Sequence, residues 1–204
     1  MPIKFLANHN CIIFGMSGAG KTRFILDVIK NKLVHPFPEK IYYMFSVSQK
    51  FMETWNSTET TQITFIKGLD FEQMDTSEPS MLVIDDLILS TNAQVAEMFI
   101  LGSHHKRISI FYLTQSLFHN DNIYRTMSNN SHYMVLFYSL RNTRQLNTLA
   151  RQIFAGKDLK RALNAYKRAS ENNRGFILFS FSPLLPQELA ILTDYWSAYP
   201  SVYL

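Results

Sequence analysis

The chain has 204 residues, a length that favours a single domain. Hydrophobic residues make up 47% and charged residues 18%, which excludes a disordered chain, and the seven glycines and seven prolines exclude collagen-like and low-complexity classes. The single cysteine, Cys11, excludes an internal disulfide framework and a zinc site built from several cysteines. Because no apolar run reaches about 18 residues, we expect no membrane-spanning helix.

Positive charge is concentrated in one window of the chain. The formal net charge is only +4, but residues 141–174 contain nine basic and two acidic side chains, whereas residues 1–140 contain 11 basic and 12 acidic ones. Such a segment can neutralise DNA phosphates without reading base sequence, although a solvated helix face would have the same composition. The candidate DNA contacts are Arg144, Arg151, Lys160, Lys167 and Arg168.

Short apolar runs alternate with helical patterns along the chain. Strands are predicted at residues 11–14, 41–47, 63–66, 81–84, 108–113, 132–138 and 175–181. Helices are predicted at residues 21–33, 91–102, 141–151 and 157–170, and residues 54–61 are the best candidate for an exposed insertion. Continuous Ile, Val, Phe and Tyr runs suit strands buried on both faces. We therefore predict one α/β domain over residues 1–204, with a mostly parallel sheet flanked by helices.

The strongest motif lies directly after the first predicted strand. Residues 15–22 read GMSGAGKT, which is the G-x-x-x-x-G-K-T pattern of a phosphate-binding loop. Glycines let successive backbone N–H groups turn toward one anion, and the following helix points its positive end at the same place. Lys21 can reach the β- and γ-phosphates of ATP, and Thr22 can offer its hydroxyl to Mg²⁺. The predicted nucleotide-binding residues are Gly15, Ser17, Gly18, Ala19, Gly20, Lys21, Thr22 and Arg23.

Two adjacent acids end a later apolar strand. Residues 81–86 read MLVIDD, and a parallel strand of this kind delivers its last residues to the sheet edge where ligands of open α/β sheets bind. Asp85 is predicted to hold Mg²⁺ together with Thr22, and Asp86 to orient or deprotonate the attacking water. The alternative for the pair is a solvated helix start, since Asp is a good N-cap.

The next predicted strand ends in an uncharged amide. Residues 108–113 read ISIFYL and lead into Thr114 and Gln115. Beside a γ-phosphate, the Gln115 amide can hydrogen-bond both the phosphate and the water, although a plain polar loop would begin in the same way. The order of glycine loop, acidic strand and polar-ended strand favours a motor-type ATPase over a small nucleotide kinase.

With these motifs in place, the chain resembles the FtsK–HerA superfamily of P-loop ATPases. More narrowly, it resembles the poxvirus-type genome-packaging ATPases of large DNA viruses, virophages and Polinton-like elements. The matching segments are residues 15–22, 82–87, 102–109 and 113–118, and the resemblance covers about residues 8–180. It implies a RecA-like fold of the ASCE type, with ATP hydrolysis coupled to DNA translocation.

The resemblance also implies partners and a site shared between subunits. Members of the family form a ring, usually a hexamer, around double-stranded DNA, with ATP at the subunit interfaces. A packaging enzyme of this kind works at a capsid or portal site, inside the host cell in the cytoplasm, nucleus or virus factory, or with the virion. A neighbouring subunit supplies an arginine to the γ-phosphate, for which Arg107 is the first choice and Arg125 and Arg141 are alternatives.

One departure and two alternatives accompany this interpretation. Many members of the superfamily carry Glu where this chain has Asp86, which is one methylene shorter, so we expect altered water geometry or slower turnover. The first alternative is a nucleoside or nucleotide kinase, in which the basic window would close over the substrates as a lid. The second is a nucleotide-dependent assembly protein that binds ATP without fast turnover.

Overall fold

A nine-stranded sheet runs through the computed structural model of the chain, which describes residues 3–59, 61–87, 93–103, 106–116, 121–172, 175–197 and 200–203. The strands of this sheet are β2 (Asn10–Phe14), β4 (Lys40–Phe45), β5 (Thr64–Lys67), β6 (Ser80–Asp85), β7 (Ile108–Thr114), β8 (Tyr133–Phe137), β9 (Phe176–Ser180), β10 (Ile191–Thr193) and β11 (Ser201–Val202). Two further strands, β1 (Phe5–Leu6) and β3 (Val34–His35), form a separate parallel pair.

Helices connect the strands and cover both faces of the sheet. They are α1 (Lys21–Lys30), α2 (Lys50–Thr58), α3 (Ala93–Glu97), α4 (Asp121–Asn129), α5 (Thr143–Ile153) and α6 (Gly156–Ser170). The α3 helix continues as a π-helical turn, Met98–Gly102, and short 3₁₀ helices occur at Phe71–Gln73, Leu140–Asn142 and Gln187–Ala190. No helix in the described ranges has both the length and the apolar character needed to cross a membrane.

The strand order places three strand ends side by side. The sheet runs β11-β10-β9-β8-β2-β7-β6-β4-β5, and the six strands from β8 to β5 are parallel. The strands β9, β10 and β11 extend it in antiparallel fashion. Because β7 lies between β2 and β6, the carboxyl ends of these three strands meet at one edge. The prediction of an α/β fold with a mostly parallel, helix-flanked sheet is confirmed.

The core consists of two hydrophobic clusters, one on each face of the sheet. Successive side chains of a strand point to opposite faces, so Ile12 packs in one cluster and Ile13 in the other. The helices α1 and α2 cover the Ile13 face, and α3 to α6 cover the Ile12 face. Every residue of β2, β6, β7 and β8 is buried, as expected for parallel strands covered on both sides.

The prediction of an exposed insertion at residues 54–61 holds for Thr54, Asn56 and Ser57, which are exposed, but not for Trp55. Most of that stretch belongs to the α2 helix, and the Trp55 side chain is buried. The Trp55 indole donates a hydrogen bond to the Thr61 carbonyl and packs edge-on against Phe51, which in turn contacts Phe65 of β5. The polar residues around Trp55 hide the helical pattern in the sequence. In the structure, Phe51 and Trp55 pack this short helix against β5.

A matched pair of leucine substitutions tests this core. Leu113 in β7 is fully buried, whereas Leu140 is 82% exposed. We expect Leu113→Ala to lower the free energy of unfolding by about 2–5 kcal/mol, because it removes buried surface and leaves a cavity. Leu140→Ala should change that free energy by less than about 0.5 kcal/mol. Chemical denaturation measures both, and equal effects of the two substitutions would contradict this placement of β7.

Candidate functional site

The loop between β2 and α1 has the geometry that its glycines permit. Gly18 and Gly20 have φ angles of 76° and 109°, in the left-handed region that side chains disfavour. Gly15 has a different reason to be glycine, since a Cβ there would lie 2.9 Å from the Cβ of Phe137 at the end of β8. The Gly15 N–H donates to the carbonyl of Thr114, which joins the loop to the end of β7.

Lys21 is held over its own loop. Its side chain is only 7% exposed, and Nζ donates to the carbonyl oxygens of Gly15 at 2.7 Å and Met16 at 3.2 Å. Burial lowers the pKa of Lys21, and the nearby charges of Asp86 and Asp85 oppose this shift. The ammonium group is thus held at the loop by the two carbonyls, within electrostatic range of the two carboxylates.

Asp85, the last residue of β6, is buried and accepts three hydrogen bonds on one oxygen. The Oδ2 atom receives the Thr22 hydroxyl at 3.2 Å, the Tyr43 hydroxyl at 2.5 Å and the Gln49 amide at 3.2 Å. Burial raises the pKa of Asp85, although the hydrogen bonds from Tyr43 and Thr22 act against that rise. Burial also raises the pKa of Tyr43 far above its ordinary value, so its phenol stays protonated and donates.

Asp86 and Gln115 form a second contact at the same edge. The Gln115 amide nitrogen donates to both carboxylate oxygens of Asp86, at 2.9 Å and 2.7 Å. Asp86 is exposed and has a φ of 55°, so the chain turns sharply directly after β6. The two adjacent acids therefore differ in environment, because Asp85 is buried among donors and Asp86 faces the open pocket.

These groups line one pocket with a volume of about 350 Å³. Its lining residues are Ser17, Gly18, Gly20, Lys21, Thr22, Arg23, Gln49, Asp85, Asp86 and Gln115. Most of the site residues predicted from sequence therefore converge on one cavity, with Gly15 and Ala19 in the loop beside it. The Arg23 side chain is 76% exposed and lies 3.4 Å from Asp27 on the same helix.

The structure does not bring Arg107 to this pocket. Arg107 precedes β7, and the seven residues of that strand separate it from the phosphate-loop edge by roughly 20 Å. It has a φ of 53°, and its guanidinium donates to the Ser77 carbonyl at the opposite edge of the sheet. Arg125 in α4 is exposed, as is Arg141, which follows β8 at the edge that carries the loop.

Two lining or supporting residues were missed by sequence reasoning. Tyr43 lies within the apolar strand predicted at residues 41–47, where nothing in the sequence indicates a polar role, and its hydroxyl donates to Asp85. Gln49 lies four residues after the end of β4 and directly before α2, whereas Gln115 directly follows β7. The predicted strand at residues 41–47 ends two residues before Gln49, so a search for polar residues near the end of every predicted strand would have found it. Residues His104, His105, Leu117 and Phe118, which belong to the matching segments, and Arg174 of the basic window lie outside the described residues.

The oxygen donors at the edge fit Mg²⁺. The Thr22 hydroxyl and the Asp85 carboxylate are hard ligands only 3.2 Å apart. Mg²⁺ in phosphate sites takes one or two protein ligands and completes its shell with waters and phosphate oxygens. In the part of the chain that the structure describes, no group of three or more His, Cys, Asp or Glu residues could hold a metal by itself. A cation shared with a phosphate therefore suits these residues.

No protein-family model and no curated protein sequence matches the chain significantly, whereas solved structures do. The genome packaging NTPase B204 from Sulfolobus turreted icosahedral virus 2, in complex with ATP-gammaS, superposes with a TM-score of 0.57 at 12% identity over 97% of both chains. B204, the DNA-packaging ATPase from Sulfolobus Turreted Icosahedral Virus, superposes with a TM-score of 0.55 at 13% sequence identity. The match covers 97% of this chain and 98% of that chain.

A bacterial ATPase shares the same architecture. The structure of EssC (ATPases 2 and 3) from Geobacillus thermodenitrificans has a TM-score of 0.57 at 11% identity, covering 97% of this chain and 40% of that chain. Identities this low show a common fold. The chain therefore has the P-loop NTPase fold that the sequence predicted, and it shares that fold with viral genome-packaging ATPases.

Neighbouring tyrosines of β4 allow a test of the hydrogen bonds around Asp85. We expect Tyr43→Phe to raise the pKa of Asp85 further, because the lost hydroxyl bond favours the ionised carboxylate. Tyr42→Phe is the matched control, since the Tyr42 hydroxyl accepts from the Asp75 N–H on the other face of the sheet. Carboxyl-carbon NMR titration of Asp85 makes the comparison. An unchanged or lowered Asp85 pKa in Tyr43→Phe would contradict the assigned contact.

Proposed function

We propose that this chain is an ATPase that couples ATP hydrolysis to the translocation of double-stranded DNA during packaging of a viral genome. The observation that carries the proposal is the convergence of Lys21, Thr22, Asp85, Asp86 and Gln115 on one pocket at the edge of a P-loop NTPase sheet. The fold shared with the B204 packaging ATPases, one of them in complex with ATP-gammaS, supports the same assignment.

The loop and its lysine bind the triphosphate in this proposal. Backbone N–H groups of the loop and the first turn of α1 surround the phosphates, and the helix places its positive end there. Lys21 exchanges its bonds to loop carbonyls for the β- and γ-phosphate oxygens. Thr22 and Asp85 hold Mg²⁺, which supplies positive charge to the phosphates when bound.

Hydrolysis follows from the second pair of residues. Asp86 orients a water for in-line attack on the γ-phosphorus, so a new P–O bond forms as the bond to the β-phosphate oxygen breaks. One proton of the water passes to Asp86 or to an oxygen of the γ-phosphate, and ADP is the leaving group. The Gln115 amide donates to both oxygens of Asp86. In this proposal it exchanges that contact for a γ-phosphate oxygen and so reports the presence of the γ-phosphate.

The position of β7 supports hydrolysis over the kinase alternative. This strand lies between the phosphate-loop strand β2 and the acidic strand β6, and it carries Gln115 to the Asp86 carboxylate. In the proposed complex, this carboxylate and amide face the γ-phosphate from the side on which the hydrolytic water attacks. A phosphate acceptor other than water would have to displace this pair.

The two helices α5 and α6 are the proposed DNA surface. They carry the basic window, and the side chains of Arg144, Arg151, Lys160, Lys167 and Arg168 are all exposed. Arg168 also pairs with Glu171 at 3.0 Å, so the first four are the stronger phosphate contacts. Contacts to phosphate alone suit a motor that must move along any sequence.

Assembly completes the proposal. Subunits form a ring around DNA, and an exposed arginine of one subunit reaches the nucleotide of the next, where it stabilises charge on the γ-phosphate. Three candidates for this arginine, Arg107, Arg125 and Arg141, are exposed. The ring docks at a capsid or portal site inside the host cell or on the virion.

The ATPase assignment is tested with two lysines of the α1 helix. We expect Lys21→Ala to lower DNA-stimulated ATP turnover about 100-fold or more, because the phosphates lose a preorganised charge. Lys30→Ala is the control, since Lys30 is exposed and pairs with Glu59 at 2.6 Å at the far end of the helix. The turnover of Lys30→Ala should stay within about twofold of wild type, because Lys30 lies far from the loop and an exposed ion pair contributes little to stability.

The measurement is phosphate release with and without double-stranded DNA, with no nucleoside added. Undiminished turnover in Lys21→Ala would contradict nucleotide binding at the loop. Phosphate transfer that requires an added nucleoside would instead identify a kinase. ATP binding without turnover, with DNA present, would identify an assembly protein.

The DNA surface is tested by the salt dependence of binding. We expect the combined variant Arg144→Ala, Arg151→Ala and Lys160→Ala to bind double-stranded DNA more weakly at every sequence. Its slope of log affinity against log salt should be shallower by about 0.9 for each lost phosphate contact. The control removes the same charge elsewhere, at the exposed residues Lys4, Lys32 and Lys67. Equal slopes for the two variants, by fluorescence anisotropy, would exclude α5 and α6 as the DNA surface.

A further inference from the structure

A second cavity lies at the same edge of the sheet as the phosphate loop. It has a volume of about 290 Å³ and lies between the end of α6, the start of β9 and the turn after β10. Its lining includes Asn172, Gly175, Phe176, Asp194, Tyr195 and Trp196. We call it the Trp196 pocket. None of these residues has a role in the phosphate chemistry described above.

Aromatic rings connect this pocket to the loop. Phe137, at the end of β8, is the residue that approaches Gly15 so closely, and its ring lies 5.3 Å from that of Phe176. Phe24, two residues after Thr22 on α1, contacts Phe176 edge-on at 5.0 Å and lies 5.1 Å from the Trp196 ring. The first turn of α1, which carries Lys21 and Thr22, therefore also contacts the wall of this pocket through Phe24.

The walls of the pocket combine an aromatic surface with a fixed polar edge. Trp196 is 41% exposed although it packs against Phe24 and Tyr195, so part of its indole remains accessible. On the polar side, the Asn172 amide donates to Asp194 Oδ1 at 2.7 Å. The Ser201 hydroxyl donates to the other carboxylate oxygen at 2.9 Å.

Gly175 allows the start of β9 to pack closely against the end of α6. A Cβ at Gly175 would lie 1.8 Å from the Ala169 carbonyl oxygen, so the chain at the start of β9 passes too close to α6 for any side chain. The start of β9 and the end of α6 are therefore held together at the floor of the pocket. A cavity with an aromatic surface and few polar groups is typical of a small-molecule site.

We infer that the Trp196 pocket holds the base of the nucleotide whose phosphates bind to the loop, an inference that rests on the proposed function. The accessible indole offers a surface on which a planar base stacks, and stacking of this kind tolerates any base. The Asn172 amide carries both a donor and an acceptor, the pair that matches the edge of adenine. The volume suits a single base, being near the lower limit of about 300 Å³ for ligand pockets.

The test compares a ligand that has a base with one that does not. Titration calorimetry with Mg²⁺ measures binding of a non-hydrolysable ATP analogue and of inorganic tripolyphosphate to the full chain. We expect Trp196→Ala to weaken binding of the analogue about tenfold and to leave tripolyphosphate within about twofold of wild type. Trp196→Phe keeps an aromatic surface and should keep most of the affinity for the analogue, which separates stacking from loss of fold.

A spectroscopic measurement gives a second readout. The chain has two tryptophans, and Trp55 lies in α2 on the other side of the phosphate loop. In a Trp55→Phe variant, fluorescence therefore reports on Trp196 alone. We expect the ATP analogue to change this fluorescence and tripolyphosphate to leave it unchanged.

The possible failures are distinguishable. If wild-type protein binds both ligands equally well, or if Trp196→Ala weakens both equally or neither, the base does not occupy this pocket and the inference is overturned. If wild-type protein binds neither ligand, or if Lys21→Ala binds both as tightly as wild type, the nucleotide assignment itself fails. A changed oligomeric state in Trp196→Ala with unchanged binding of the analogue would mark the pocket as a subunit contact and overturn the inference.

Discussion

The arrangement of the site around the phosphate loop depends on the hydrogen bonds to the buried carboxylate of Asp85. One oxygen receives donors from the first turn of α1, from the middle of β4 and from the residue before α2. A charge buried in this way is costly unless it is hydrogen-bonded, so these donors fix both the carboxylate and the elements that carry them. The raised pKa of Asp85 shows that the donors offset only part of the cost of burial. A cation shared with phosphate would offset more.

The insertion of β7 between β2 and β6 is the second constraint. It sets β2 and β6 two strand spacings apart, about 10 Å, and fills the gap with a strand that leads into Gln115. Asp86 thereby gains an amide partner, the side chain of Gln115. The same register brings the Thr114 carbonyl to the Gly15 N–H, so the loop is tied to the strand that carries Gln115.

The antiparallel extension of the sheet brings the C-terminal third of the chain to the edge that carries the phosphate loop. The α5 and α6 helices present the basic side chains, and the chain leaving α6 enters β9 beside the phosphate loop. In the proposed motor, the segment that faces DNA thus leads directly into the pocket inferred to hold the base. The near-neutral body, residues 1–140, leads into the basic helical pair through the short connection between β8 and α5.

Sequence alone determined the phosphate loop, the acidic strand end, the parallel core strands and the basic window. Each depends on neighbours in the chain: glycine spacing, an apolar run with its terminal acids, or local charge. Tertiary structure decided the rest, because pairing of distant strands places Tyr43 and Gln49 on Asp85, buries Trp55 in an unpredicted helix and opens the pocket at Trp196. Arg107 lies at the opposite sheet edge because it precedes β7, whereas the contacts that gather at the loop edge depend on the pairing of strands far apart in the chain.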